Sequence, residues 1–105
     1  MDLTDQPRTI VFAPNRLDFF TAPFLAKDLD AKLREGAVVV LDLSKTQSIE
    51  PSVTDVLIDS FVKSRQRQAR LSFKGVKPQV KVVLEMAGIL KHFRPKSAEL
   101  GQKAR

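Results

Sequence analysis

Few side chains in this chain could do acid–base or nucleophilic chemistry. Its 105 residues include one histidine, His92, and no cysteine. A catalytic histidine needs a nucleophile and an orienting acid beside it, and no sequence signature places such groups near His92. The glycine-rich patterns that cradle phosphates, G-x-G-x-x-G and G-x-x-x-x-G-K-[ST], do not occur in the sequence. We therefore expect a protein that is not an enzyme, with no catalytic residues and no cofactor.

Four carboxylates lie near the middle of the chain and are the candidate metal ligands: Asp42, Glu50, Asp55 and Asp59. Several carboxylates on one loop could hold a divalent cation. Acids in such positions are more often solvated, or interact with the positive end of a helix dipole. We favour the second interpretation and expect no metal site.

The formal net charge of +6 raises the question of nucleic-acid binding. Residues from Lys91 to the C-terminus contribute +4 of it, so most of the excess lies in a terminal segment. A second basic group lies where a helix is expected to end, and cations there complement the dipole; it comprises Lys63, Arg65, Arg67 and Arg70. The chain has no Trp or Tyr for base stacking, and its seven Phe look mostly like core residues. Nucleic acid is therefore not the expected partner.

The elements that must position these residues alternate between strands and helices. Apolar or alternating runs predict strands at 9–13, 37–41 and 69–74, and a short strand or extended link at 16–18. Apolar residues at helical spacing predict helices at 21–35, 52–66 and 78–87. The core stripe of the first is Leu25, Leu29 and Leu33, and that of the third is Val80, Val83, Leu84 and Ala87. Gly36 is expected to cap the first helix and Gly88 to end the third. Run 37–41 is apolar on both faces, which predicts a central strand covered on each side. The pattern is that of an α/β domain.

The loop between this central strand and the second helix is the most informative stretch. In an open α/β sheet, ligands and partners bind where strands end and helices begin. Free backbone N–H groups at a helix N-terminus also favour anions. The candidate partner-binding residues are Ser48, Glu50, Pro51, Ser52, Val53, Thr54 and Asp55.

Three segments together resemble STAS domains. VVVLDLSKTQSIEPSVTDVL, at 38–57, resembles the family's central pattern "vvlDLs.v..iDSsGl.vL". RLDFFTAPFLAKDLDAKL, at 16–33, resembles the pattern of its first helix, "G.LD..ta..l...l". FKGVKPQVKVVLEMAGILKHF, at 73–93, resembles its ending, "l.gv.p.v..vLe.tGL...f". The resemblance covers residues 9–94 and implies one STAS-like domain at 1–95, with a mixed four- to five-stranded sheet and about three helices. A basic, mobile tail is expected at 96–105.

The family implies function as well as fold. STAS domains include bacterial anti-sigma factor antagonists, cytoplasmic domains of sulfate transporters and a small subunit of a lipid-transport ABC complex. In the antagonists, a kinase-like anti-sigma factor phosphorylates the Ser after the loop Asp, and the phosphate prevents docking. The resemblance therefore implies a regulatory module that docks on such a partner through residues 48–59 and acts in regulation of transcription.

This sequence departs from the family pattern at the switch itself. The family's Asp falls on Glu50, its phosphorylated Ser on Pro51, and its Gly on Val53. Pro51 has no hydroxyl, so Ser52 and Thr54 are the remaining candidate phosphosites. Alternatively, Ser52 is the N-cap of the second helix, with Asp55 three residues on as an imperfect capping box.

Three other functions are considered beside the anti-sigma factor antagonist. The main alternative is an accessory subunit of a membrane ABC (lipid) transporter that docks on its ATPase. A nucleotide-binding domain has no phosphate-loop motif in its favour. A third alternative is contact with nucleic acid or an anionic membrane through Lys96 to Arg105.

The N-terminus resembles no signal peptide and no apolar run could span a membrane, so we expect a cytoplasmic protein. The oligomeric state is not indicated.

Overall fold

The fold alternates strands and helices along the chain, as the sequence predicts. The computed structural model describes residues 8–89. Its strands are β1 (Arg8–Phe12), β2 (Arg16–Leu17), β3 (Val38–Asp42), β4 (Ser48–Ile49) and β5 (Arg70–Lys74). Its helices are α1 (Ala22–Lys32), α2 (Thr54–Gln66) and α3 (Pro78–Met86), and a single 3₁₀ turn, Pro51–Val53, leads into α2. The predicted α/β class with three helices is confirmed, and the short segment after Asn15 is a strand.

The five strands form two small parallel sheets. The larger sheet has the order β1-β3-β5, with Ile10 opposite Val40 and Val40 opposite Ser72. The smaller one pairs β2 with β4. Within residues 8–89 every strand pair is parallel, where a mixed sheet was expected. The physical reason is that a helical crossover returns the chain to the same end of the sheet, whereas antiparallel neighbours are joined by hairpins.

Helices α1 and α2 pack against each other and cover the same face of the larger sheet. The side chains buried under them include Val11, Val39, Leu41 and Leu71. On the opposite face Val40 is only half-buried and Ile10 is 47% exposed. The expectation that the central strand is covered on each side is therefore wrong. Successive β-α-β crossovers of one hand, laid in the order β1-β3-β5, place both helices on one side.

The predicted apolar helix stripes are largely confirmed, but α1 is shorter than expected. Leu25, Leu29 and Leu33 are all buried. The helix ends at Lys32 instead of Glu35, and the N–H of Leu33 donates the last helical bond, to the carbonyl oxygen of Leu29. Gly36, expected to cap this helix, lies in the turn beyond it.

Helix α3 ends as the sequence predicts, at a glycine. Gly88 has a φ of +76°. Its N–H donates to the carbonyl oxygen of Glu85, and the N–H of Ile89 donates to that of Leu84. These two hydrogen bonds, together with a glycine in the left-handed conformation, form a Schellman motif. The apolar contact that usually accompanies the motif is available, because Leu84 and Ile89 are both buried. The motif fixes the end of α3, where Met86 lies.

Four phenylalanines contradict the expectation that these residues fill the core. Phe12, Phe19, Phe20 and Phe24 are 59%, 75%, 81% and 77% exposed. Phe12 projects from the sheet face opposite the helices. Phe19 and Phe20 belong to the turn before α1, and Phe24 lies on an exposed side of α1. Strand and helix patterns place only part of their residues in the core, and Phe12 and Phe24 fall on the other positions, whereas Phe19 and Phe20 belong to no strand or helix.

Some sequence predictions lie outside the described residues. These are His92, the domain boundary at residue 95 and the tail at 96–105. Within residues 8–89, no helix combines the length and the apolar character needed to cross a membrane.

Candidate functional site

The loop between β3 and α2 is held against the segment that links β1 to β2. The buried hydroxyl of Thr46 donates a 2.8 Å hydrogen bond to the carbonyl oxygen of Pro14. The N–H of Gln47 donates to the carbonyl oxygen of Asn15 at 2.7 Å. Strand β4 then pairs with β2, and the N–H of Glu50 donates to the carbonyl oxygen of Leu17 at 2.9 Å. The loop is therefore a backbone-paired surface with a defined shape.

The start of the loop is organised by Asp42, at the end of β3. Its carboxylate accepts the N–H of Ser44 at 2.8 Å. The side-chain hydrogen bond from Ser44 and this backbone bond hold the pKa of Asp42 below its ordinary value, and the positive charges of Lys74 and Lys45 act in the same direction. The ammonium group of Lys77 donates to the carbonyl oxygen of Ser44. Asp42 is thus a structural anion that fixes the turn.

The connection into α2 is a 3₁₀ turn, and it changes the role of Ser52. Residues 51–53 form this turn, so the N-cap position of α2 falls on Val53, with no side-chain capping bond. The interpretation of Ser52 as the N-cap, with Asp55 completing a capping box, is therefore wrong. Pro51 occupies the first position of the turn, where its missing N–H leaves no hydrogen bond unmade.

The structure divides the candidate partner-binding residues into an exposed set and a buried pair. Those with exposed side chains are Ser48, Glu50, Pro51, Ser52 and Asp55. Val53 and Thr54 are buried, and both lie beneath this surface. The two buried residues can shape the site but present little of themselves to a partner.

The two candidate phosphosites differ sharply in accessibility. The hydroxyl of Thr54 donates to the carbonyl oxygen of Pro51 at 2.8 Å, and the residue is 4% exposed. Ser52 is exposed, and its hydroxyl has no hydrogen-bond partner in the part of the chain that the structure describes. A kinase could therefore reach the Ser52 hydroxyl, whereas reaching that of Thr54 would require the turn to open.

An apolar groove lies beside the exposed loop residues, between the 3₁₀ turn and the end of α3. It has a volume of about 290 Å³ and is lined by Pro51, Thr54, Val83, Met86 and Ala87. Met86 is 84% exposed at its rim. Sequence reasoning assigned Val83 and Ala87 to the core stripe of α3 and did not single out Met86. The available signal was an apolar residue off that stripe, in the last turn of an otherwise amphipathic helix.

The four carboxylates considered as metal ligands are not brought together. Across residues 8–89, no three His, Cys, Asp or Glu side chains lie close enough to hold a metal ion. Glu50 and Asp55 are exposed beside the groove, Asp42 is engaged with Ser44, and Asp59 lies further along α2. The site offers an apolar groove with hydroxyls and two carboxylates at its edge, a combination suited to recognition of a protein surface.

Comparison with known proteins gives one family assignment. No curated protein matches the chain. The family model described as STAS domain matches residues 1–101 of the 105-residue chain, which is nearly all of it. The α/β architecture, with its parallel strands and three helices, is consistent with that match. The chain therefore belongs to the STAS domain family, a generally non-enzymatic family of regulatory and protein-interaction modules.

Proposed function

We propose that this STAS domain is a regulatory protein-binding module, similar to anti-sigma factor antagonists, that docks on a kinase-like anti-sigma factor through residues 48–59. The observation that supports this best is the groove between Pro51 and Met86, which lies directly beside the anchored loop. An exposed methionine next to an apolar cleft offers an adaptable contact for a partner side chain. The loop would contribute the polar rim around that contact.

The preorganisation of the loop supports docking with little ordering cost. Three backbone or hydroxyl contacts tie Thr46, Gln47 and Glu50 to the β1–β2 segment before any partner arrives. A surface already in its bound shape loses less conformational entropy on association. The exposed carboxylates of Glu50 and Asp55 would select a partner with basic groups around its apolar anchor.

Regulation, where it exists, would act through Ser52. Pro51 lacks the hydroxyl that the family modifies, and the hydroxyl of Thr54 is enclosed under the carbonyl of Pro51. A phosphate on Ser52 would add a charge of about −2 next to Glu50 and Asp55. The added charge and bulk at the rim of the groove would weaken binding to a partner that presents cations there.

A second candidate function is favoured by Pro51 itself. A position without a hydroxyl suits permanent docking, as required of an accessory subunit bound to the ATPase of a membrane ABC transporter. The same groove and loop would then form a constitutive interface. The two functions differ in the partner and in sensitivity to charge at Ser52.

The test is affinity capture from native cell extract with purified protein, followed by mass spectrometry. Wild type is compared with Ser52→Asp and with Ser72→Asp, a matched change at an exposed serine of β5. Capture of a kinase-like anti-sigma factor, reduced by Ser52→Asp but not by Ser72→Asp, supports the proposal with a relocated switch. Capture insensitive to Ser52→Asp supports constitutive docking. Capture of a transporter ATPase replaces the first function by the second, and capture of neither class contradicts both.

A further inference from the structure

Four exposed phenylalanines form a second surface, which the docking site does not use. Phe12, Phe19, Phe20 and Phe24 are hereafter called the aromatic patch. All four are more than half exposed, and Phe20 is 81% exposed. Single exposed apolar residues are common, but a cluster of large ones is a recognised mark of an interaction site. The seven Phe of the chain thus include at least four that do not serve mainly as core.

The members of the aromatic patch converge on one edge of the fold. Phe12 and Phe24 line the same shallow groove, of about 260 Å³, whose remaining lining is Pro14, Thr21, Leu25 and Asp28. Phe24 lies in the first turn of α1. Phe20 lies four residues earlier, and it and Phe19 are adjacent in the turn that precedes the helix. The patch therefore combines a projecting turn with an apolar hollow behind it.

In the turn that carries Phe19 and Phe20, polar groups form hydrogen bonds with each other. The Asp18 carboxylate accepts the N–H groups of Phe20 at 2.9 Å and Thr21 at 3.0 Å, and the Thr21 hydroxyl donates to the carbonyl oxygen of Arg16 at 2.8 Å. The backbone bond from Thr21 is the largest of the causes that lower the pKa of Asp18. Polar groups with partners cost much less to remove from water than unpaired ones. The backbone of the tip can therefore approach an apolar phase, while the ionised Asp18 carboxylate has to remain in a polar layer.

The charged side chains around the patch are net positive, because Arg16, Lys27 and Lys45 outnumber Asp18, the acid of this turn, which forms no ion pair among the described residues. Lys45 lies over the ring of Phe12, with its Nζ 5.7 Å from the ring centroid. Arg16 and Lys27 flank the turn and the first turns of α1, and no ion pair involves either of them among the described residues. The nearest acid on α1, Asp28, is paired with Lys32 at 2.7 Å. The rim of the patch thus carries a net positive charge, although it includes the Asp18 carboxylate.

We propose that the aromatic patch binds the surface of a membrane that contains anionic lipids. The four rings would insert at the boundary between headgroups and acyl chains, and Arg16, Lys27 and Lys45 would contact lipid phosphates. Shallow apolar insertion combined with basic residues is the usual basis of reversible binding at a membrane surface. The proposal does not rest on the proposed function, because the aromatic patch contains none of residues 48–59.

Charge decides between a lipid surface and a second copy of the chain. A symmetric dimer through the patch would bring Arg16, Lys27 and Lys45 of each copy towards the same cations of the other. Like charges facing each other oppose association, whereas an anionic membrane complements them. The rings and cations therefore match a lipid surface better than they match each other.

The experiment is cosedimentation of the full chain with vesicles of phosphatidylcholine that contain about 30% phosphatidylglycerol, compared with phosphatidylcholine alone. The variants are Phe20→Ser/Phe24→Ser, Lys27→Glu, and Val82→Ser as a control that removes an exposed apolar side chain of α3, outside both the groove and the aromatic patch. Circular dichroism confirms that each variant is folded. We expect binding of wild type and Val82→Ser to anionic vesicles, a loss of about tenfold or more for the double variant, and a smaller loss for Lys27→Glu.

Three results would overturn the proposal. One is that wild type does not bind anionic vesicles. Another is that the Phe20→Ser/Phe24→Ser variant binds them as well as wild type, which would assign binding to basic residues elsewhere in the chain. The third is a wild-type dimer in sedimentation velocity that the double variant converts to monomer without any vesicle binding, which would assign the patch to a second copy.

Discussion

The hydroxyl of Thr46 donates a 2.8 Å hydrogen bond to the carbonyl oxygen of Pro14, across 32 residues of sequence. Thr46 is fully buried, so its hydroxyl would have no water to replace this partner if the bond were absent. The bond joins the middle of the loop between β3 and α2 to the link between β1 and β2. It is the contact on which the defined shape of the loop depends most directly.

Thr46→Val keeps the shape of the side chain and removes the hydroxyl. We expect the free energy of unfolding to fall by about 1–3 kcal/mol, because the Pro14 carbonyl is left unpaired. Urea denaturation measures this change, and faster hydrogen exchange at the Gln47 amide would report the loosened loop. The control is Ser48→Ala, at an exposed position of β4, which should stay within about 0.5 kcal/mol of wild type. Equal stability of Thr46→Val and wild type would contradict this account of the loop.

Gly75 is required by the close approach of the loop as well as by its backbone conformation. A Cβ at Gly75 would lie 2.8 Å from Cβ of Ser44, and φ is +71°. Gly36 has a similar φ of +77°, but a Cβ there would have nothing within 4 Å. We expect Gly36→Ala to cost only the conformational term of about 1–2 kcal/mol. Gly75→Ala should cost about 1–3 kcal/mol more because of overpacking. Thermal unfolding of both variants would test this, and equal losses would show that the Ser44 contact is unimportant.

Asp30 links the end of α1 to the end of α2 and should make stability depend on pH. Its carboxylate accepts a 2.7 Å hydrogen bond from Arg67. That bond, the charge of Arg67 and the charge of Lys63 lower its pKa in the folded state. A folded-state pKa below the unfolded value stabilises the protein above about pH 3.9, and this stabilisation is lost as the pH falls through the folded value.

Asp30→Asn should therefore lower the free energy of unfolding near pH 7, and the difference from wild type should shrink as the pH falls below about 4. Urea denaturation over a pH series is the appropriate measurement. Asp59→Asn serves as the control, since it removes one exposed carboxylate of α2 that forms no ion pair among the described residues. A difference for Asp30→Asn that is constant with pH would show that titration of Asp30 does not contribute.

The two hydroxyls near the start of α2 should differ in what they contribute to stability. Thr54→Val removes the bond to the Pro51 carbonyl and should cost about 1 kcal/mol. Ser52→Ala removes a hydroxyl that has no partner among residues 8–89 and should be neutral within about 0.5 kcal/mol. The comparison is made by chemical denaturation. A large loss for Ser52→Ala would restore a capping role to that residue.

Much of the fold could be predicted because periodicity reports burial. The Leu25, Leu29 and Leu33 spacing predicted the core face of α1, and all three are buried. The β-branched run before Asp42 predicted the central strand of the larger sheet. The division of the strands into two sheets could not be predicted, nor could the number of sheet faces that helices cover. A run such as Val38–Leu41 has the same sequence pattern whether its second face is covered or open. Here Val40 is half-buried on the open face.

The position of the loop before α2 could be predicted, but the exposure of its individual residues could not. The loop at 48–55 emerged from its place between a strand and a helix, but the exposure of each residue depends on the 3₁₀ turn that inserts before α2. That turn buries Thr54 and moves the N-cap position from Ser52 to Val53. Met86 was missed because the groove joins segments about thirty residues apart in the sequence, and no local pattern records such a contact.

The most direct test of docking at the groove is the affinity of the captured partner for Met86→Lys, measured by isothermal titration calorimetry beside Val62→Lys. Both changes place a charge at an exposed apolar position, Met86 at the groove and Val62 on α2 away from it. We predict a loss of affinity of about tenfold or more for Met86→Lys, equivalent to about 1.4 kcal/mol, and near wild-type affinity for Val62→Lys. Wild-type affinity for Met86→Lys, or an equal loss for Val62→Lys, would contradict docking at this groove.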